Sequence, residues 1–165
     1  MTDNDSQLRL APIGVIHSPF REQQGTPIQP YSAMGTKGTV EIYASYAPGL
    51  ADLGGFERIW LIYWFDRART AKLSVVPYRD TKEHGVFATR APCRINPIGM
   101  SAVRLVGIEG TTLQVAEIDI LDGTPLLDIK PYVPDHDSYP GVRAGWVDDP
   151  HIAKDPLRAD SRFSK

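Results

Sequence analysis

Ile59-Trp60-Leu61-Ile62-Tyr63-Trp64-Phe65 is the longest apolar run of the chain, rich in aromatic and β-branched residues. Gly54-Gly55 stands before it and Asp66-Arg67 after it, so it reads as a strand covered on both faces, central in a sheet. At this length it is far short of the ~20 apolar residues that cross a bilayer. On its N-terminal side, Ala11–Ser18 and Gly38–Ser45 alternate apolar with polar residues, the period of half-buried strands. On its C-terminal side, strands are expected at Ser74–Tyr78, Gly85–Thr89, Ala102–Ile108, Leu113–Ile120 and Leu126–Ile129, each ended by Gly, Pro or Asp-Gly. Glu109-Gly110-Thr111-Thr112 joins two of these as a tight hairpin, and connections this short build antiparallel sheets. One short helix is expected around Tyr46–Asp52. An all-β chain of this kind hides its edges by closing into a barrel or by pairing them with a second copy.

The composition agrees. The 165 residues include 14 glycines and 14 prolines, too much punctuation for long helices, and the length suits one domain. The N-terminal MTDNDSQLRLAP is acidic and polar where a signal peptide is basic and then apolar, so a cytoplasmic location is expected. A single cysteine, Cys93, excludes an internal disulfide and a cysteine-rich zinc site, and is expected to be small and half-buried. His17, His84, His136 and His151 share no metal-ligand spacing, so no metal is expected. GxGxxG, Walker, GxSxG, HExxH and CxxC motifs are all absent. Eighteen basic against 20 acidic residues give a net charge of −2, so binding to nucleic acid would have to rest on a local patch.

Three segments offer chemistry. Gly85–Leu105 holds Arg90, Arg94 and Arg104 without one acidic residue, and Pro92 and Pro97 stiffen the loop that carries the first two. Planar guanidinium suits carboxylate or phosphate, although arginines in such a loop also serve to bridge neighbouring loops. Glu117–Tyr132 is acidic, with Asp122-Gly123-Thr124-Pro125 as a turn between apolar strands and Lys130-Pro131-Tyr132 at a strand end. Asp122 reads first as a turn former and, in a loop beside Arg90, as an acceptor for ribose hydroxyls. His17–Pro30 is a proline-broken loop after the first strand, a place to lay backbone against a ligand or a plain connection.

The blocks Gly14-Val15-Ile16-His17-Ser18-Pro19-Phe20, Gly85-Val86-Phe87-Ala88-Thr89-Arg90, Asn96-Pro97-Ile98-Gly99 and Leu121-Asp122-Gly123-Thr124-Pro125 through Asp128-Ile129-Lys130-Pro131-Tyr132, in this order, resemble the TsaA-like (TrmO-type) tRNA methyltransferases. The resemblance implies a small antiparallel β-barrel with one or two short helices over residues 8–139, a flexible tail over 1–7 and an irregular arm over 140–165. It implies a homodimer, S-adenosylmethionine as methyl donor, and N-methylation of threonylcarbamoyl-modified adenosine beside the tRNA anticodon. Methylation of another small or nucleotide acceptor, and plain S-adenosylmethionine binding without catalysis, are the alternative readings. The cofactor residues it implies are Pro27, Ile28, Gln29, Asp66, Arg67, Arg90, Arg94, Leu105, Leu121, Asp122, Gly123 and Thr124, with Asp122, Lys130 and Tyr132 as candidates to contact the reacting amine. Ile28 stands where the family usually has Arg and Asp66 where it often has His, and both make the pocket less positive. Many members carry a further C-terminal domain expected to help hold tRNA, whereas this sequence runs to Lys165.

Overall fold

Six strands close into an antiparallel barrel in the order β1-β2-β7-β6-β3-β8, as a computed structural model describing residues 8–152 and 158–163 shows. They are β1 (Gly14–His17), β2 (Lys37–Ile42), β3 (Arg58–Trp64), β6 (Ile98–Glu109), β7 (Thr112–Ala116) and β8 (Thr124–Pro131). Two short strands, β4 (Ser74–Val75) and β5 (His84–Gly85), pair separately. Closure leaves the barrel with no free edge strand. The expected tail of residues 1–7 lies outside the described residues.

β3 sits between β6 and β8, as its apolar run predicts. It is sealed on one face only: Ile59, Leu61 and Tyr63 are buried, Trp60 and Ile62 are half-buried, and Trp64 is 45% exposed. A barrel wall has one interior, so double coverage does not arise. That interior is filled by Ile16, Val40, Ile59, Leu61, Val103, Leu113 and Leu126, joined by Ile118 and Ile120 from the connection after β7. Burying them is the main force for folding, at about 25 cal/mol per Å². The hairpin at 109–112 is present, with Gly110 at φ 60 in the left-handed conformation that its turn requires.

Four expected elements differ. Gly85–Thr89 is no strand: it leaves β5 at Gly85 and turns through a 3₁₀ helix, Val86–Ala88, which leaves Phe87 76% exposed. Leu113–Ile120 stops being a strand at Ala116, because Glu117 takes φ 64 and the amides of Glu117 and Ile118 turn to the Thr36 carbonyl. β6 begins at Ile98, four residues before expectation, because the Trp64↔Ile98 and Tyr63↔Gly99 pairs extend its ladder with β3. Any side chain at Gly99 would collide with the Tyr63 ring. The helix expected around Tyr46–Asp52 is a 3₁₀ helix, Ala44–Leu50, interrupted by Pro48, which has no amide to donate.

The one α-helix of the described residues, α1 (Pro134–Asp137), precedes the C-terminal arm, which crosses the surface. The Trp146 ring stacks on His84 at 4.4 Å, and its Nε1 donates to the Ala88 carbonyl at 2.8 Å. Residues 158–163 return to the barrel. The Ala159 amide donates to the Thr26 carbonyl at 2.7 Å, the Gly25 amide to the Ala159 carbonyl at 2.8 Å, and Arg162 Nη1 to the Pro77 carbonyl at 2.6 Å. Phe163 fills a second core with Val75, Ala91 and Cys93, which buries Cys93 more completely than expected.

Candidate functional site

A cavity of about 450 Å³ opens at the mouth of the barrel where β3 ends and β6 begins. The loop after β1 brings Pro27, Ile28 and Gln29 to it, the end of β3 brings Phe65, Asp66 and Arg67, the loop before β6 brings Arg90 and Arg94, and the entry to β8 brings Leu121 and Thr124. Nine of the sequence-expected cofactor residues thus line one space, although they come from four separated segments. Five arginines (Arg21, Arg67, Arg69, Arg90, Arg94) face three acids (Glu22, Asp66, Asp119) around it, which favours an anionic ligand group.

The arginines differ in freedom. Arg90 Nη1 donates to Gln29 Oε1 at 2.6 Å, so the loop of residues 27–29 and the loop before β6 are tied across the opening. Arg67 Nη2 donates to Thr124 Oγ1 at 2.9 Å while its Nε meets Asp66 Oδ1 at 3.2 Å. Arg94 is clamped: Nη1 faces the carbonyls of Val86 and Thr89 at 3.1 and 2.9 Å, so part of its guanidinium holds its own loop in shape. For that residue the loop-bridging reading applies alongside a place in the wall.

Asp122 and Gly123 form the turn without lining the cavity. Asp122 Oδ1 accepts from the Ser18 amide at 3.2 Å and lies 3.4 Å from His17 Nδ1, while Gly123 (φ 77) donates its amide to the Ile16 carbonyl. Their work is to deliver Leu121 and Thr124 to the wall. Leu105 is packed in the barrel core with Val115 as its β7 neighbour, away from the cavity. Lys130 and Tyr132 stand at the opposite end of β8 from Thr124, about 20 Å along the strand. There Lys130 pairs with Asp128 at 2.9 Å and Tyr132 packs against the Trp60 ring at 5.6 Å.

The floor holds residues that the sequence did not single out. The Tyr63 hydroxyl and Ser101 Oγ are 3.1 Å apart, both buried. The Ser101 hydroxyl also bonds the Asp119 carboxylate, whose Oδ1 is covered and has no hydrogen-bond partner. Burial pushes the Asp119 carboxyl up to about 7, against the opposing effects of Ser101 and of Arg90. Burial likewise drives the Tyr63 phenol well above its ordinary range, with the Asp119 charge adding to it, so Tyr63 stays neutral. Ala159 and Phe163, from the returning arm, complete the wall beside Tyr78. Met100 and Ile98 add apolar surface at the start of β6. A sequence signal for Asp119 does exist: apolar positions run 113, 115, then 116, 118, 120, and this change of phase at Val115-Ala116 marks where the strand breaks.

The chain was compared with known proteins. The family model of the tRNA-methyltransferase O N-terminal domain matches residues 15–138. A probable S-adenosyl-L-methionine-binding protein of Pyrococcus abyssi is 51% identical over 152 residues, covering 92% of this chain and 83% of its own length. The tRNA (adenine(37)-N6)-methyltransferase of Escherichia coli is 34% identical over 152 residues, covering 86% of this chain and 65% of that protein. The crystal structure of TrmO from Pseudomonas aeruginosa superposes with a TM-score of 0.73 at 39% identity, covering 87% of this chain and 64% of that one. The chain therefore spans less than two thirds of the length of either of these last two proteins. Because the family model runs from β1 through α1 and so takes in the whole barrel, the chain belongs to the tRNA-methyltransferase O N-terminal domain family.

Proposed function

We propose that the chain is an S-adenosylmethionine-dependent methyltransferase that N-methylates the exocyclic amine of an adenosine in tRNA, the preferred acceptor being threonylcarbamoyl-modified adenosine beside the anticodon. The observation that carries this reading is the arginine-rich cavity at the barrel mouth, lined by loops from four segments of the family domain. The donor set fits S-adenosylmethionine on two counts. The volume lies in the range of roughly 300–1,000 Å³ used for small ligands. Arg67 and Arg90 supply guanidinium for a carboxylate, while Ile28, Phe65 and Met100 supply apolar surface for an adenine. Bound there, S-adenosylmethionine supplies an activated methyl group on a sulfonium.

The residues around it act mainly by position. Displacement at carbon is accelerated by holding donor and acceptor close and in line, and the Arg90–Gln29 and Arg67–Thr124 bonds fix the walls that do so. Asp122 serves by shaping the turn that carries Leu121 and Thr124. The enzyme works in the cytoplasm as a homodimer, a reading supported by the large apolar side chain of Trp64, 45% exposed at the end of β3 and outside the cavity lining. Calorimetry with S-adenosylmethionine and a methyl-transfer assay on threonylcarbamoylated beside unmodified tRNA test the reading. Binding with transfer to the modified tRNA is expected. Absence of binding at high micromolar ligand refutes the cofactor, and binding without transfer to either tRNA favours the non-catalytic alternative.

A further inference from the structure

We propose that Asp119 is the proton acceptor of the reaction, its carboxylate receiving the proton that the acceptor nitrogen gives up as the new N–C bond forms. The proposal rests on the methyltransferase reading above. In that reaction the nitrogen lone pair makes the bond to the methyl carbon and the electron pair of the old methyl–sulfur bond stays on sulfur. The pair of the N–H bond returns to nitrogen, and the proton ends on the Asp119 carboxylate. A positive sulfonium and a carboxylate become a neutral thioether and a carboxylic acid, so charge is conserved within the site.

Three observations select Asp119. First, it is placed: the irregular connection after β7 turns its carboxylate into the pocket floor. Second, it is available. Among the described residues no ion pair engages its carboxylate, whereas Asp66 is engaged by Arg67 at 3.2 Å and Glu22 lies on the exposed outer loop. Among the described residues that line the cavity there is no histidine. A buried acceptor left unsatisfied is costly and persists in folded proteins where something is gained by it. Third, it is oriented. An ionised Asp119 accepts from Ser101, which leaves Ser101 to accept from Tyr63, so a relay from β3 through β6 holds the carboxylate in the cavity floor. The groups that set its charge are Tyr63 from β3, Ser101 from β6 and Arg90 from the loop before β6. Its elevated titration point near neutrality gives a base matched to physiological pH.

The test is Asp119→Asn, a near-isosteric change, in the full chain, with folding checked by melting temperature. Single-turnover methyl transfer is expected to fall by a factor of about 100 or more, the usual contribution of a positioned base. Calorimetric affinity for S-adenosylmethionine is expected to stay within about threefold. The wild-type rate is expected to drop tenfold per pH unit below neutrality, and ¹³C NMR of the Asp carboxyls in ligand-free protein to show one resonance titrating near pH 7 that the variant lacks. Retained transfer in the variant overturns the proposal. So does an equal loss of rate and affinity, which would make Asp119 a holder of the cofactor, and so does an ordinary acidic titration of its carboxyl. Absence of transfer by the wild-type protein overturns the methyltransferase reading and this proposal with it, and is recognised because the affinity and titration are measured independently of turnover.

Discussion

Truncating Phe163 to Ala should release residues 158–163 from the barrel and leave the barrel itself folded. Phe163 is 7% exposed and lies edge-to-face against Tyr78 at a centroid distance of 5.0 Å, within a small core that also holds Val75, Ala91 and Cys93. The main barrel core contains none of these residues. Removing a buried phenyl costs about 3–5 kcal/mol, and the lower end applies at a small rim cluster. A loss of about 3 kcal/mol corresponds to roughly a hundredfold increase in opening. The bonds that report opening are those between the Ala159 amide and the Thr26 carbonyl and between the Gly25 amide and the Ala159 carbonyl. Hydrogen exchange of these two amides in Phe163→Ala should therefore accelerate about a hundredfold while amides of β3 and β6 keep their protection. Since Ala159 and Phe163 are part of the cavity wall, S-adenosylmethionine affinity should fall with the same change. Unchanged exchange at Gly25 and Ala159 would refute the reasoning, because it would mean that Phe163 does not hold the segment in place.

Gly99→Ala should destabilise the barrel by about 1–3 kcal/mol in denaturant titrations, because its Cβ meets the Tyr63 ring and lies 2.8 Å from Phe65 Cζ. Lys130→Ala and Tyr132→Ala should each leave S-adenosylmethionine affinity within twofold by calorimetry, since both lie at the far end of β8 from the cavity. Asp119 makes stability depend on pH. Its folded titration point of about 7 lies above the ordinary carboxyl value of 3.8, so the folded state binds the extra proton and stability falls as pH rises between these values. Asp119→Asn should then be the more stable protein at pH 8, by up to a few kcal/mol in chemical denaturation, with the difference vanishing near pH 4. Asp80 has the opposite sign: the His84 bond and the amides of Thr81 and Lys82 hold its carboxyl below the usual range. The stability it contributes is present above pH 4 and is lost on further acidification, so Asp80→Asn should flatten the acid limb of a melting-temperature profile.

The barrel was legible because its determinants are local. The Ile59–Phe65 run, the alternation at Gly38–Ser45 and the Glu109–Thr112 turn each state a conformation within a few residues, and each is present in the fold. Two strands were misread for one reason: the period of two was followed past the point where the backbone left it. Gly85-Val86-Phe87-Ala88-Thr89 is a short apolar run between Gly and Thr that reads as a strand, yet the Val86 amide bonds the Leu73 carbonyl and the chain curls, a long-range fact that no local pattern carries.

The site divides in the same way. Its arginines and its Asp-Gly turn stand in short blocks that a family resemblance can match, whereas its floor depends on the break after Val115. Until that break, odd positions point inward; after it, even positions do, with Ile118 and Ile120 buried and Glu117 turned out to Arg58 at 2.6 Å. Asp119, which a continuous strand would direct into the barrel core beside Leu113 and Val115, is instead rotated to the cavity at its mouth. A carboxylate beside Leu113 and Val115 would be costly to bury, so Asp119 itself favours a broken strand. The change of apolar phase at Val115-Ala116 and the acid two residues beyond Glu117 are thus one signal read twice: the strand ends there, and where it ends a carboxyl group is left lining the cavity.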